Sequence, residues 1–312
     1  AKEAISDPNK IERDPNSVPR DLPVDDFYSD WAAAEFGPAA AGPMGKLFAK
    51  LDGGPFSNVI HKRKTRLPRP ATWVDGPGGI KPDERDWREV EKSYAFINEM
   101  ERLRWKVKGK GHLERFDYWL NNFRYMREIG KLRCIYGRYV TEAAKVAKMQ
   151  EVNSRKQFMI ETLLPIRKEM IEQLAKVHRY LLQTVNTPGE MGAIANWQQH
   201  IMPKLLAEPD KQLSAVLGED AIANKWPPKE YTGKARIFVP TARGQLEAGE
   251  DLHIKAVVLD RQQLDEVFVY YGKIGENQFR KKSISNVGRG VYKTIITASE
   301  MGGDIEYYVR AI

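Results

Sequence analysis

The spacing of apolar residues changes at Trp226-Pro-Pro-Lys229, and the change restricts this chain to a helical region followed by a β region. Before the change, apolar residues recur every three or four positions with charges between them. After it they alternate. Three stretches, Trp87 to Val107, His112 to Glu151 and Ser154 to Val185, each predict a long helix. In the second, Leu113, Phe116, Leu120, Phe123, Met126 and Ile129 or Gly130 form the stripe of a bundle helix. Pro165 predicts a kink or a split in the third. Shorter helices are predicted over Gly189 to Leu206 and Asp210 to Leu217. Upstream, Phe27, Trp31, Ala34 and Phe36 are set to share one helical face, with Asp25 or Asp26 as cap and Gly37-Pro38 as stop. A helix from Ala39 to Leu51 follows.

Beyond Tyr231 the alternating sets are Ile237 and Val239; Leu252, Ile254, Ala256 and Val258; Val267, Val269 and Tyr271; Val291 with Lys293 and Ile295; and Ile305, Tyr307 and Val309. They predict an antiparallel, immunoglobulin-like β-sandwich of which five strands are legible, against seven in a complete fold. The expected organisation is multidomain, α then β: an extended arm over 1–24, a helical bundle over 25–226 with a long loop at 55–86, and a sandwich over 227–312. The chain begins at Ala1 without Met and closes inside the alternating run Asp304 to Ile312. The expectation from this is a piece of a larger protein whose last strand awaits a partner, with catalytic groups in an upstream domain or a second polypeptide.

A hydrophobic fraction of 42% in 312 residues supports two buried cores, which argues against disorder. The longest apolar stretches fall well short of the roughly 18–20 residues of a membrane helix, so no membrane partner is expected. Cys134 is the single cysteine, which forbids an internal disulfide; beside Leu132 and Ile135 it reads as a buried structural thiol. A net charge of +8 attracts anions without choosing among nucleic acid, acidic glycans and acidic proteins.

The histidines at 61, 112, 178, 200 and 253 lack metal-ligand spacing, and no phosphate loop, dinucleotide fingerprint or nucleophile elbow is present. No metal or cofactor is expected, and no catalytic residue is assigned. The densest polar and aromatic constellation is Glu114-Arg-Phe-Asp-Tyr-Trp-Leu-Asn-Asn-Phe-Arg-Tyr125. Carboxylates and amides hydrogen-bond sugar hydroxyls, and the indole of Trp119 suits the apolar face of a pyranose. The same residues also suit a bundle helix with salt bridges on its polar side. A second candidate is the Gly-rich loop carrying Trp73 and Asp75, together with Trp87; packing of those indoles against the bundle is its alternative. The basic run His61 to Arg66 could grip phosphates or be a solvated loop, and without interleaved aromatics nucleic acid is not the expected partner.

Asp26-Phe-Tyr-Ser-Asp-Trp-Ala-Ala-Ala-Glu-Phe-Gly37 and the Glu114 to Tyr125 segment resemble the helical region behind the catalytic barrel of large polysaccharide-degrading glycoside hydrolases. The style is that of α-glucuronidases and α-N-acetylglucosaminidases. The ending, Val291 to Ala311, resembles the β-sandwich appended to such bundles. The resemblance implies an accessory portion acting on a plant or algal polysaccharide, in a secreted or periplasmic setting. It also implies that Trp73, Asp75, Trp87, Arg115, Asp117, Trp119 and Asn122 shape or contact a sugar site, with Arg115 suited to an acidic or sulfated sugar. The alternative is a non-enzymatic scaffold that binds an acidic partner or polyanion through the basic loop.

Overall fold

A computed structural model of the chain describes residues 24–51, 68, 79–222, 226–227, 231–240, 243–262, 264, 266–288 and 290–312. The expected arm, the basic run at 61–66 and the loop bearing Trp73 and Asp75 lie outside the described residues. A helical region is followed by antiparallel sheets. The described parts of Ala1–Arg69 and Arg88–Phe123 form one compact unit, and those of Pro70–Trp87 and Arg124–Ile312 form another.

The first unit contains α1 (Val24–Phe36), α2 (Pro38–Leu51), α4 (Ala95–Leu103), most of the single turn α3 (Trp87–Val90) and the first part of α5 (Lys110–Val146). Gly37 ends α1 because its φ of 86° is left-handed, and its N–H donates to the Ala33 carbonyl at 3.0 Å. The buried residues of α1 are Ala32 and Phe36, a four-residue step that faces Met44, Leu47 and Phe48 of α2. The expected apolar face of α1 is thereby corrected: Phe27 is 63% exposed and Ala34 is exposed. The helix expected over Trp87 to Val107 is also divided, into α3, a 3₁₀ turn at Glu91–Tyr94, α4 and a second 3₁₀ turn at Arg104–Lys106. Ser93 donates its hydroxyl to the Val90 carbonyl at 2.6 Å, a local bond that competes with the helical ladder at the first turn.

In the second unit, α6 (Val152–Phe158) and α7 (Leu164–Thr184) are joined without a break by a π turn at Met159–Leu163. The split expected at Pro165 does not occur. A second π turn, Trp197–Ile201, joins α8 (Pro188–Asn196) to α9 (Met202–Leu217). Each π turn ends two residues before a proline, Pro165 or Pro203. The wider turn moves the preceding carbonyls away from the proline ring and absorbs the missing N–H. The break expected near Asp210 is likewise absent, and Pro209 lies inside α9. The end of α5 and helices α7 and α9 enclose a core that includes Leu132, Leu163, Met170, Leu174, Val177 and Leu213.

The extended segment 79–86 crosses α5 at Gly137, where an added Cβ would collide with the Asp83 carbonyl. The Asp83 N–H donates to the Arg133 carbonyl at 3.0 Å, and its carboxylate accepts from Arg85 Nε at 2.9 Å and Nη2 at 2.7 Å. Those hydrogen bonds hold the carboxyl below its usual pKa. Cys134 is 7% exposed, and burial pushes its thiol up.

The strands are β1 (Arg236–Phe238), β2 (Leu252–Leu259), β3 (Val267–Lys273), β4 (Arg280–Ser283), β5 (Ser285–Gly288), β6 (Val291–Ile296) and β7 (Ile305–Ala311). They form a four-stranded sheet in the order β1-β2-β6-β5 and a three-stranded sheet in the order β4-β3-β7, antiparallel throughout. Leu252, Ile254, Ala256 and Val258 of β2 and Val267, Val269 and Tyr271 of β3 belong to one buried cluster. Alternation located five of the strands but misassigned a face: on β6 the buried residues are Tyr292 and Ile296, whereas Ile295 is 43% exposed, and Ile237 of β1 is exposed. It missed β4 and β5, which read Arg-Lys-Lys-Ser and Ser-Asn-Val-Gly and lie mostly exposed at sheet edges. Polar edge strands carry no buried face to write a pattern.

Candidate functional site

Among the predicted contact residues, four lie on α5 within the first unit, and each is engaged by its own chain. Trp119 meets Trp31 and Phe48 edge to face, with ring centroids 5.7 and 5.3 Å apart. Arg115 donates Nε to the Glu35 carbonyl at 3.0 Å and Nη2 to the Ala34 carbonyl at 3.2 Å, which satisfies carbonyls at the end of α1. Asp117 accepts a bidentate pair from Arg104, Nε to Oδ1 at 3.0 Å and Nη2 to Oδ2 at 2.9 Å, and this pairing raises the Arg104 pKa. Asn122 donates to the Tyr118 carbonyl at 2.9 Å. Trp87 is half-buried at the start of α3. Salt bridging along this helix pairs Glu114 with Lys110 at 4.0 Å and Arg115 with Glu35 at 3.9 Å.

The second unit holds a groove of about 1030 Å³ along α7. Lys168, Glu172, Lys176 and Arg179, at helical spacing on α7, line it together with Ala221, Trp226 and Thr232. Ile160, presented by the π turn before Pro165, adds an apolar lip; it and Trp226 are each 47% exposed. Among the described residues Lys168 and Lys176 form no ion pair. Arg179 is held in place by Tyr180: its Nη2 donates to the phenol oxygen at 3.2 Å, and its guanidinium lies 4.8 Å from the ring centroid. Beneath these groups Arg167, 3% exposed, donates Nε to Asp210 at 2.6 Å and ties α7 to α9. On the neighbouring face His178, its ring nitrogen 3.2 Å from the Gln198 amide, has its pKa lowered by burial.

Cations with no internal acid that share a groove with an exposed indole can pair with a carboxylate or sulfate while the indole stacks on a sugar ring. Glu172 and Asp220, also in the groove lining, provide acceptors for hydroxyl groups. Sequence reasoning missed this groove. Lys168, Glu172 and Lys176 read as an ordinary solvated helix face, and Trp226 registered only as the boundary between two periodicities. No cluster of His, Cys, Asp and Glu able to hold a metal occurs among the described residues, and no described helix is long and apolar enough to cross a membrane. No family model, curated protein or solved structure matches the chain significantly.

Proposed function

We propose that this chain is an accessory portion of a glycoside hydrolase acting on a plant or algal polysaccharide, and that the α7 groove binds an acidic stretch of that polymer. The observation that carries the reading is the pairing of Lys168, Lys176 and Arg179 with the exposed indole of Trp226 in one groove. The resemblance at Asp26–Gly37 and Glu114–Tyr125 supports the same class. In this reading the helices over 25–226 support a catalytic barrel supplied by other polypeptide, and residues 227–312 form an immunoglobulin-like sandwich. Strand orders β1-β2-β6-β5 and β4-β3-β7 around one buried cluster support that sandwich, since they follow the A-B-E-D and C-F neighbour relations of the immunoglobulin topology.

Titration of the full chain with oligoglucuronates and with neutral oligosaccharides, read by Trp fluorescence and calorimetry, tests the reading. Saturable binding of the acidic series is expected, weakened about tenfold by Lys168→Glu with Lys176→Glu, or by Trp226→Ala. Absence of binding to any uronic or sulfated oligosaccharide would overturn it. The second reading, a scaffold for an acidic partner, draws on the same uncommitted lysines and the net charge of +8. Salt-dependent binding of any polyanion, with no preference for sugars, would favour that reading instead.

A further inference from the structure

The turn between α4 and α5 gathers cations around an uncovered indole. Along 102–110 the sequence reads Arg-Leu-Arg-Trp-Lys-Val-Lys-Gly-Lys, and no acid occurs between Glu101 and Glu114. The 3₁₀ turn Arg104–Lys106 decides which of these side chains face inward, because residues three apart eclipse in that geometry. Arg104 and Val107 share the inner side: the guanidinium is held by Asp117 of α5, and Val107 is 3% exposed. The Val107 N–H donates to the Arg104 carbonyl at 3.1 Å and closes the turn. Trp105 is left on the outside, 68% exposed and without an aromatic neighbour among the described residues. The Lys106 ammonium lies 4.6 Å from its ring centroid. Gly109, with a left-handed φ of 86°, then leads the chain into α5 between the exposed Lys108 and Lys110.

Only Arg104 among these cations has a close acid. Lys110 stands 4.0 Å from Glu114, but both are largely exposed and such a pair contributes little. Arg102, Lys106 and Lys108 form no ion pair among the described residues. Arg102 and Lys106 are four residues apart, where like charges repel. Packing this turn into a protein interior would strip water from three unpaired cations, whereas a hydrated polyanion pairs with them at the surface. We infer that the turn is a second binding site for an acidic polysaccharide, separate from the α7 groove: the open face of Trp105 stacks on a pyranose ring while Arg102, Lys106 and Lys108 pair with carboxylates or sulfates of the polymer. The ligand class rests on the proposed function, and the site rests on the turn itself. A lone indole sets this surface apart from single-stranded nucleic-acid grooves, which stack successive bases on successive aromatic residues. The flanking Leu103 and Val107 are half-buried and buried, which leaves little apolar area for anchorage on lipid.

Calorimetric titration of the full chain with a hexasaccharide of glucuronate tests the site, the expected result being one molecule bound at the α7 groove and a second at the turn. Trp105→Ala combined with Lys106→Glu and Lys108→Glu, surface changes whose fold is checked by circular dichroism, removes the second molecule and leaves the first. Lys168→Glu with Lys176→Glu does the converse. If the groove variant loses all binding while the turn variant binds as the wild type does, the inference is overturned and the proposed function stands. If the turn variant alone loses all binding, the inference stands and the groove loses its assignment. No binding of the acidic sugar by the unaltered chain overturns both. Parallel titrations with a single-stranded oligonucleotide and with phosphatidylserine vesicles complete the test: turn-dependent binding of either one that is tighter than that of the sugar overturns the inference.

Discussion

The aromatic residues of the first unit and those of the three-stranded sheet are the same residue types in opposite settings. Around Phe36 and Trp119 the rings meet edge to face: Phe36 lies 5.4 Å from Trp31 and 5.9 Å from Phe116. Phe36 and Phe116 are fully buried. On the outer face of the sheet, Phe268, Tyr270, Tyr308 and Phe279 also form a connected row, but Tyr308 is 48% and Phe279 37% exposed, and the Lys281 ammonium sits 3.6 Å over Phe268. A helix can turn an aromatic residue fully inward on one stripe. A strand alternates, so every second ring on β3 and β7 must face away from the core. Aromatic content alone therefore does not separate core from binding surface; the element carrying it does.

The contrast yields measurements of decreasing size. Phe116→Ala should cost about 3–5 kcal/mol in a denaturant titration, because a fully enclosed ring leaves a cavity; a loss below about 1 kcal/mol would break the contrast. Gly137→Ala comes next. In an open helix that change is favourable by about 1 kcal/mol, but here the new methyl meets the Asp83 carbonyl, so destabilisation of about 1–3 kcal/mol is expected. A stabilised variant would show that the 79–86 segment yields freely.

The β region should show an acid limb of its own. Glu300 caps α10 (Ala298–Met301), accepting from Lys282 at 2.8 Å and from the Thr297 N–H at 2.8 Å, and these bonds lower its pKa from 4.5 to about 2. The folded state thus favours the ionised carboxylate. That contribution is complete above pH 4.5 and is lost as the pH falls from about 4.5 to about 2. Thermal midpoints of Glu300→Gln measured across this interval should lose that limb of the pH dependence while remaining below the wild type at pH 7. The smallest effect belongs to Phe279→Ala, whose exposed ring should cost about 0.5 kcal/mol or less. A loss matching that of Phe116→Ala would mean that the outer row is part of a core after all.

Legibility followed burial on one face. The stripe Leu113, Phe116, Leu120 and Phe123 predicted α5, and Leu252, Ile254, Ala256 and Val258 predicted β2, because each pattern records a single covered side. The split expected at Pro165 and the break expected before Asp210 do not occur, since a π turn and a tolerated interior proline preserve helices that a local rule would end. The four α5 residues singled out for sugar contact were chosen for their chemistry, and their engagement by Arg104, Tyr118, the carbonyls closing α1 and the rings of Trp31 and Phe48 depends on residues distant from them in sequence or on the helix fold itself. The α7 groove was hidden for the converse reason: Trp226 reaches it from another element.

The sequence by itself determined where helix gives way to strand, which face of α5 is buried, and that Cys134 is a packed thiol, because periodicity and neighbouring apolar residues record local burial directly. Only the tertiary structure decided which charges are spent inside the chain and which stay available. Asp117 is consumed by an arginine thirteen residues away, whereas Lys168 and Lys176 meet no described acid. Ion pairing depends on distances of a few ångströms between separate elements, and a linear pattern carries no record of them.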